Sequence, residues 1–209
     1  MARPIMVVGT SAPNRREIAA AHFGATYDLV FLSPDIDEKQ FRSPDPFALT
    51  STIAHGKMAA LREKIAVDAD LRDRVAQHTD SVALTFDQVV YYNNDIREKP
   101  ESRAEAIAFI RSYSNHHLGT VMTTVLYSFA KDRTLSMPNT TLTFYRAIPE
   151  DAIMRVVERG QCFHAAGAFV VEDEDMRRSE IKIDPGTQEE VRGFSEMSVR
   201  TLLDLMKAA

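Results

Sequence analysis

Pro4-Ile5-Met6-Val7-Val8-Gly9-Thr10-Ser11-Ala12-Pro13-Asn14-Arg15-Arg16-Glu17 decides the fold class. Pro4 to Gly9 is apolar and rich in β-branched residues and reads as a buried strand ending at Gly9. Thr10 to Asn14 is a polar turn, and Arg15 to Phe23 then takes helical spacing. Strand, short turn and helix in succession make the unit from which α/β proteins are built.

Outward from this unit the alternation continues. Tyr27 to Leu32 reads as a second strand, followed by the acidic Pro34-Asp35-Ile36-Asp37-Glu38 and a loop with Pro44 and Pro46. From Pro46 to about Ala66, Phe47, Leu49, Ile53, Met58, Leu61 and Ile65 recur at three- and four-residue steps, which predicts a long helix. The polar stretch from Asp68 to Asp80 reads as a surface crossing. Ser81 to Tyr92 is the most strand-like run, rich in Val, Phe, Thr and Tyr, and Asn93-Asn94-Asp95 turns the chain. Ser102 with Glu105 forms a capping-box pattern ahead of another helix. Val121 to Phe129 and Leu135 to Arg146 read as strands around the turn Lys131-Asp132-Arg133. A helix follows from Pro149 to Arg159, stopped by Gly160. Glu172 to Arg178 reads as a solvated loop or hairpin, and a last helix from Ser195 to Met206 uses Met197, Val199, Leu202, Leu203 and Met206. Helices that alternate with strands, and then strands in pairs, predict an α/β protein with a mixed sheet, in one domain spanning residues 1–209.

Composition bounds the function. A chain of 209 residues with 44% hydrophobic content supports an ordinary globular core. One cysteine, Cys162, excludes an intrachain disulfide, the absence of C-x-x-C pairs argues against a thiolate zinc site, and Cys162 reads as a buried structural residue in a reducing compartment. The apolar run at the start is too short for a signal peptide and no later stretch is long enough to span a bilayer, so the expected location is cytoplasmic, with no membrane partner. A formal charge of −5 gives no global attraction to nucleic acid, so a phosphate ligand must be met by local clusters of Arg and Lys. Neither a P-loop nor a dinucleotide fingerprint occurs, no G-x-S-x-G elbow is present, and adjacent His116 and His117 form no metal motif.

Three groups of residues could carry chemistry. The turn with Thr10, Ser11, Arg15 and Arg16 places two guanidiniums where backbone N–H groups open a helix. The alternative is a solvated first turn. Asp35, Asp37 and Glu38 follow a strand, where they serve either as caps or as ligands for a hard cation such as Mg²⁺. Asp87 sits inside an apolar strand, where a carboxylate needs a partner or a task. Lys57 and Lys99, ordinary when taken singly, would neutralise a polyanion together with the arginines.

In this order the pieces resemble the Maf family, from about Ile5 to Leu203. The resemblance rests on Thr10 to Glu17, Asp35-Ile36-Asp37-Glu38, Ala54-His55-Gly56-Lys57, Asp87-Gln88-Val89-Val90, Lys99-Pro100, Thr123 and Ala166-Gly167-Ala168-Phe169. It implies an elongated mixed sheet flanked by helices, with two lobes around a cleft, similar to inosine triphosphate pyrophosphatase. The implied activity is hydrolysis of a nucleoside triphosphate to the monophosphate and pyrophosphate with Mg²⁺ or Mn²⁺. It also implies Asp87 as proton acceptor, Glu38 and Lys57 beside it in the catalytic set, Glu38 and Asp87 as metal ligands, and Thr10, Ser11, Arg15, Arg16, Lys57 and Lys99 on the phosphates. Asn14, Gln88 and Glu172 fall at positions that choose the base. Asp87-Gln88 followed by His164 to Glu172 is similar to the branch acting on 7-methyl-GTP rather than the dTTP/UTP branch. A dTTP/UTP pyrophosphatase of the same family and a weakly catalytic nucleotide-binding regulator of cell division, tied to septum formation, are the competing expectations, and a homodimer is compatible with each. The chain departs from the family pattern at Ala12, Asn14, Asp173 and Asp175.

Overall fold

β1 (Ile5–Gly9) is buried along its whole length because it has a neighbour on each side, which is why its sequence is an unbroken apolar run. The computed structural model describes residues 3–208. Around β1 the elements follow as α1 (Pro13–Phe23), β2 (Asp28–Phe31), α2 (Pro46–Val67), α3 (Ala69–Ala76), β3 (Val82–Tyr92), β4 (Asp95–Arg97), α4 (Arg103–Ser112), β5 (His117–Ser128), β6 (Arg133–Tyr145), α5 (Glu150–Arg159), α6 (Glu174–Ser179), β7 (Glu180–Ile183), α7 (Gln188–Val191) and α8 (Glu196–Ala208). The sheet has seven strands in the order β2-β1-β3-β5-β6-β7, with β4 added to β3. β1 runs parallel to β2 and β3, whereas β4 on β3 and β7 on β6 are antiparallel, so the sheet is mixed as expected.

The chain forms two compact units, divided inside β3 between Asp87 and Gln88 and again inside β5 and β6. The first comprises Met1–Asp87, Met122–Asn139 and Arg192–Ala209. One of its cores joins Met6, Val8, Ile18, Phe23 and Phe86 to Phe194, Val199 and Leu202. The other joins Val7, Ala54, Met58, Leu61 and Ile65 to Leu71 and Val75. In the second unit, Gln88–Val121 with Thr140–Val191, the core gathers Ile110, Tyr113, Tyr145, Ile153, Val156, Cys162 and Phe169. Cys162 is fully buried there.

Most predicted elements appear within a residue or two; β5 starts four residues before the predicted Val121, and β7 and α7 are additional to the predicted elements. Asp68 to Asp80 contains α3 rather than a bare crossing. The Asp68 carboxylate accepts from Leu71 N at 3.0 Å, and Leu71 and Val75, four residues apart, bury one face. β4 was hidden by its three residues. Ser102 does cap α4, accepting from Glu105 N at 3.1 Å, but Glu105 reaches Glu101 N rather than the cap residue's own amide. Met197 is exposed, while Val199, Leu202, Leu203 and Met206 form the buried face of α8. No helix among the described residues is long and apolar enough to cross a membrane.

The largest departure is Glu172 to Arg178, which carries α6 and two buried carboxylates. Arg155 and Arg159 stand one turn apart on α5 and reach back to it. Arg155 bonds Asp175 at 2.7 and 3.2 Å, and Arg159 bonds Asp173 at 2.6 and 2.8 Å and Asp175 at 2.6 Å. Asp173 also caps α6, accepting from Asp175 N at 2.9 Å. What looks like a solvated charge run is a forked clamp. The clamp lowers the Asp175 pKa to about 2, Arg155 contributing most and Arg159 next. A depressed carboxylate stabilises the fold above its unfolded pKa and loses that contribution as pH falls. The expected result is a Tm that drops progressively between about pH 5 and pH 2, with part of the drop absent in Asp175→Asn. That substitution should itself cost about 2 kcal/mol at neutral pH, measured by urea unfolding.

Candidate active site

β2, β1 and the first half of β3 end side by side, with Val8 opposite Phe31 and Gly9 opposite Thr85. In open α/β sheets ligands are bound just outside such carboxyl ends. Beyond β1 the turn is locked by Thr10, whose hydroxyl accepts from Ala12 N at 3.1 Å and whose amide donates to Val8 O at 2.9 Å. Ala12 is the N-cap of α1 and offers no side-chain oxygen, so the first helical turn is left uncapped by any side chain.

The acidic cluster after β2 divides its work. Asp35, held in a left-handed conformation with φ of 50°, accepts from Ser33 at 2.6 Å and pairs with Lys64. Asp37 caps the 3₁₀ turn that follows, accepting from Lys39 N at 3.1 Å. Glu38 pairs with Lys57, its carboxylate 2.7 Å from Lys57 Nζ. Gly56 makes room for Phe41, since a β-carbon there would sit 3.1 Å from its ring.

Lys57 reaches the site because α2 carries it on its apolar face. Thr50, Ile53, Ala54, Met58, Leu61 and Ile65 are the buried residues around it, and Thr50 binds Thr123 at 2.9 Å. The lysine is 8% exposed, and its ammonium bonds Asp87 Oδ1 at 2.8 Å and the Phe86 carbonyl at 3.3 Å. Asp87 itself is 5% exposed. Burial pushes its pKa up, as does Glu38, against the opposing pull of Lys57 and Arg15. The result is one ammonium between two carboxylates, one of them buried and made more basic.

Arg15 completes the set. Its Nε donates to Gly193 O at 2.8 Å and its guanidinium lies 5.6 Å from the centre of the Phe86 ring. Burial draws its pKa down while Asp87 and Glu38 hold it up, and a guanidinium stays charged throughout. Gly9, Thr10, Ser11, Ala12, Arg15, Asp35, Ile36, Glu38 and Lys57 line a hollow of about 280 Å³. Arg16 does not line it. Arg16 braces the turn instead, with Nη2 3.2 Å from Thr10 O and its guanidinium over Phe31.

The remaining predicted residues have their own settings. Asn14 is exposed on the first turn of α1. Within the second unit, Gln88 donates to Glu190 O at 2.7 Å. Lys99 is exposed after β4, next to Glu98, whose carbonyl accepts from Gly167 N at 2.9 Å. Glu172 is half-buried immediately before the clamp. Gly193 and Phe86 were not foreseen, because a backbone carbonyl and an ordinary core ring leave no mark of function in a sequence.

A hollow lined by Arg15 and Lys57, with the buried Asp87 carboxylate held behind it by Lys57, marks an α/β protein with a cation-lined site at the end of β1. The chain belongs to the Maf family: the family model described as "Maf-like protein" matches residues 5–206. It is 29% identical over 170 residues to the 7-methyl-GTP pyrophosphatase of Dictyostelium discoideum, covering 81% of this chain and 82% of that one. It is 25% identical over 169 residues to the dTTP/UTP pyrophosphatase of Chlamydia trachomatis serovar L2, covering 80% and 78%. A 7-methyl-GTP pyrophosphatase from Alcanivorax borkumensis is 25% identical over 166 residues, covering 79% and 76%.

Proposed function

We propose that this chain, a nucleotide pyrophosphatase by family, hydrolyses the α–β phosphoanhydride of 7-methyl-GTP in preference to pyrimidine triphosphates, with Asp87 as proton acceptor. The observation that carries the reading is the buried Asp87 joined through Lys57 to Glu38 at the edge of a hollow lined by Arg15 and Lys57. Lys57 occupies Oδ1 of Asp87, so Oδ2 is the oxygen that takes the proton of the attacking water. The water oxygen bonds to the α-phosphorus, the bond from that phosphorus to the α–β bridging oxygen breaks, and pyrophosphate leaves with that oxygen. Arg15 and Lys57 neutralise the charge that gathers on it, with Thr10, Ser11 and Lys99 as further phosphate contacts. A mere nucleotide binder has no use for a basic carboxylate buried beside its ligand, which disfavours the purely regulatory reading.

The donor set suits a hard divalent cation. Glu38 and Asp87 each lie within 2.8 Å of the Lys57 ammonium, and Mg²⁺ is commonly held by one or two carboxylates, with substrate phosphates and water completing its shell. Mg²⁺ or Mn²⁺ held by these two side chains would supply Lewis-acid charge neutralisation to the phosphates.

For the base, Glu172 supports guanine. A carboxylate can accept from both N1–H and the exocyclic amine of guanine, and its charge complements a methylated, cationic ring. The clamp at Asp173 and Asp175 fixes the residues that follow it. Pyrophosphate release from a panel of nucleotides with Mg²⁺ or Mn²⁺ tests the proposal. We expect kcat/KM for 7-methyl-GTP at least about tenfold above UTP and dTTP, and Glu172→Gln to shrink that ratio by roughly tenfold or more. Equal turnover of all three, or a pyrimidine preference, would reject 7-methyl-GTP. Binding without turnover would favour the regulator.

A further inference from the structure

We propose that Gly193, far from the site in sequence, is a positioning residue that aims the Arg15 guanidinium at the substrate's phosphates. The inference rests on the reading above, in which Arg15 meets the phosphates.

Four consecutive residues build a rigid support. Arg192 pairs with Glu17 of α1 at 3.0 Å. Phe194, fully buried, packs its ring 5.0 Å from that of Phe86 and 6.1 Å from that of Phe23. Ser195 caps α8, its hydroxyl accepting from Ser198 N at 3.1 Å. Between these anchors Gly193 adopts φ of 93° and presents its carbonyl to Arg15 Nε at 2.8 Å. Only glycine fits there. A β-carbon would lie 2.8 Å from Arg15 Nε and 2.9 Å from Nη2, and an L-residue would be strained at that φ in any case.

The consequence is directional. A guanidinium has five N–H groups in a planar fork, and fixing Nε fixes the plane in which the Nη groups lie. The Nη groups make no hydrogen bond among the described residues, and Arg15 lines the hollow. The Phe86 ring, 5.6 Å from the guanidinium, restricts rotation further. The same Phe86 gives its carbonyl to Lys57 and precedes Asp87, so the support under Arg15 is continuous with the strand that carries the proposed base. A positively charged side chain without this carbonyl would still attract phosphate but would lose the bidentate aim.

The test is a double-mutant cycle on the full chain with Arg15→Met, Gly193→Ala and both together. Two quantities are read, the KM and kcat of the best substrate from the nucleotide panel and the calorimetric affinity for inorganic pyrophosphate. Gly193→Ala is expected to raise KM and weaken pyrophosphate roughly tenfold, with kcat changing less than about threefold. The double variant is expected to match Arg15→Met, because Gly193 acts only through Arg15. Full additivity of the two losses, or a Gly193→Ala protein indistinguishable from the parent while Arg15→Met is impaired, overturns the positioning role. An Arg15→Met protein that behaves as the parent in both measurements rejects instead the phosphate role of Arg15. Should Gly193→Ala show no cooperative melt, Arg15→Lys decides. Loss equal to Arg15→Met supports an oriented fork, and retention of parental KM overturns it.

Discussion

Asp87→Asn is expected to cut kcat/KM for the best nucleotide by about two to four orders of magnitude while leaving the protein at least as resistant to heat as its parent. The exchange is isosteric, and Lys57 keeps Glu38 and the Phe86 carbonyl as partners. The amide cannot take a proton from water, which removes general-base catalysis at the attacking oxygen. Stability moves the other way because burial raises the carboxyl's pKa: the fold disfavours the charged form that chemistry at neutral pH requires. Pyrophosphate release and a thermal melt on the same preparation check both halves. Activity within about threefold of the parent would remove Asp87 from the mechanism, since a general base contributes far more than that. A parallel collapse of Tm would make its role structural.

That opposition between stability and chemistry was half legible in the sequence. A carboxylate in the middle of Val82–Tyr92 signals that something unusual holds it, because an apolar strand rarely buries a charge without a partner. Lys57 carries a weaker signal. It falls on the stripe formed by Ile53, Ala54, Met58, Leu61 and Ile65, a lysine where α2 needs apolar residues, but nothing in the spacing says that the two meet. Long, strongly periodic elements such as α2 and β3 declare themselves because many side chains repeat one message. α3, with two apolar residues in eight, and β4, with three residues in all, have too little pattern to stand out from turns. The acidic stretches show a different limit. Asp35, Asp37 and Glu38 are equivalent by composition, and only the folded chain assigns one to Lys64, one to a cap and one to Lys57. The same holds for Asp173 and Asp175, whose partners Arg155 and Arg159 lie on another helix. Backbone groups are the least legible of all, and the Gly193 carbonyl is invisible until the chain is folded.

Lys57→Met should be the most damaging substitution in the molecule, because it removes the charge common to Asp87, Glu38 and the Phe86 carbonyl. Methionine replaces the stem and fills its volume, so packing along α2 survives. Asp87 does not fare as well. Left 5% exposed without its hydrogen-bonded counter-ion, it retains only the longer-range influence of Arg15. Breaking a buried ion pair from one side costs about 3 kcal/mol, and in a chain of this size that lowers Tm by roughly 5–12 °C. Activity should fall by about a thousandfold or more, since Asp87 loses its orientation and the leaving pyrophosphate loses a cation in one step. The double variant Lys57→Met/Asp87→Asn separates these effects. With the stranded charge neutralised it should recover most of the lost Tm and none of the activity. If the double variant melts as low as Lys57→Met, packing rather than charge sets the stability of this site. If Lys57→Met alone keeps the parental Tm, Asp87 is protonated in the resting protein and cannot be the base that Lys57 holds in place.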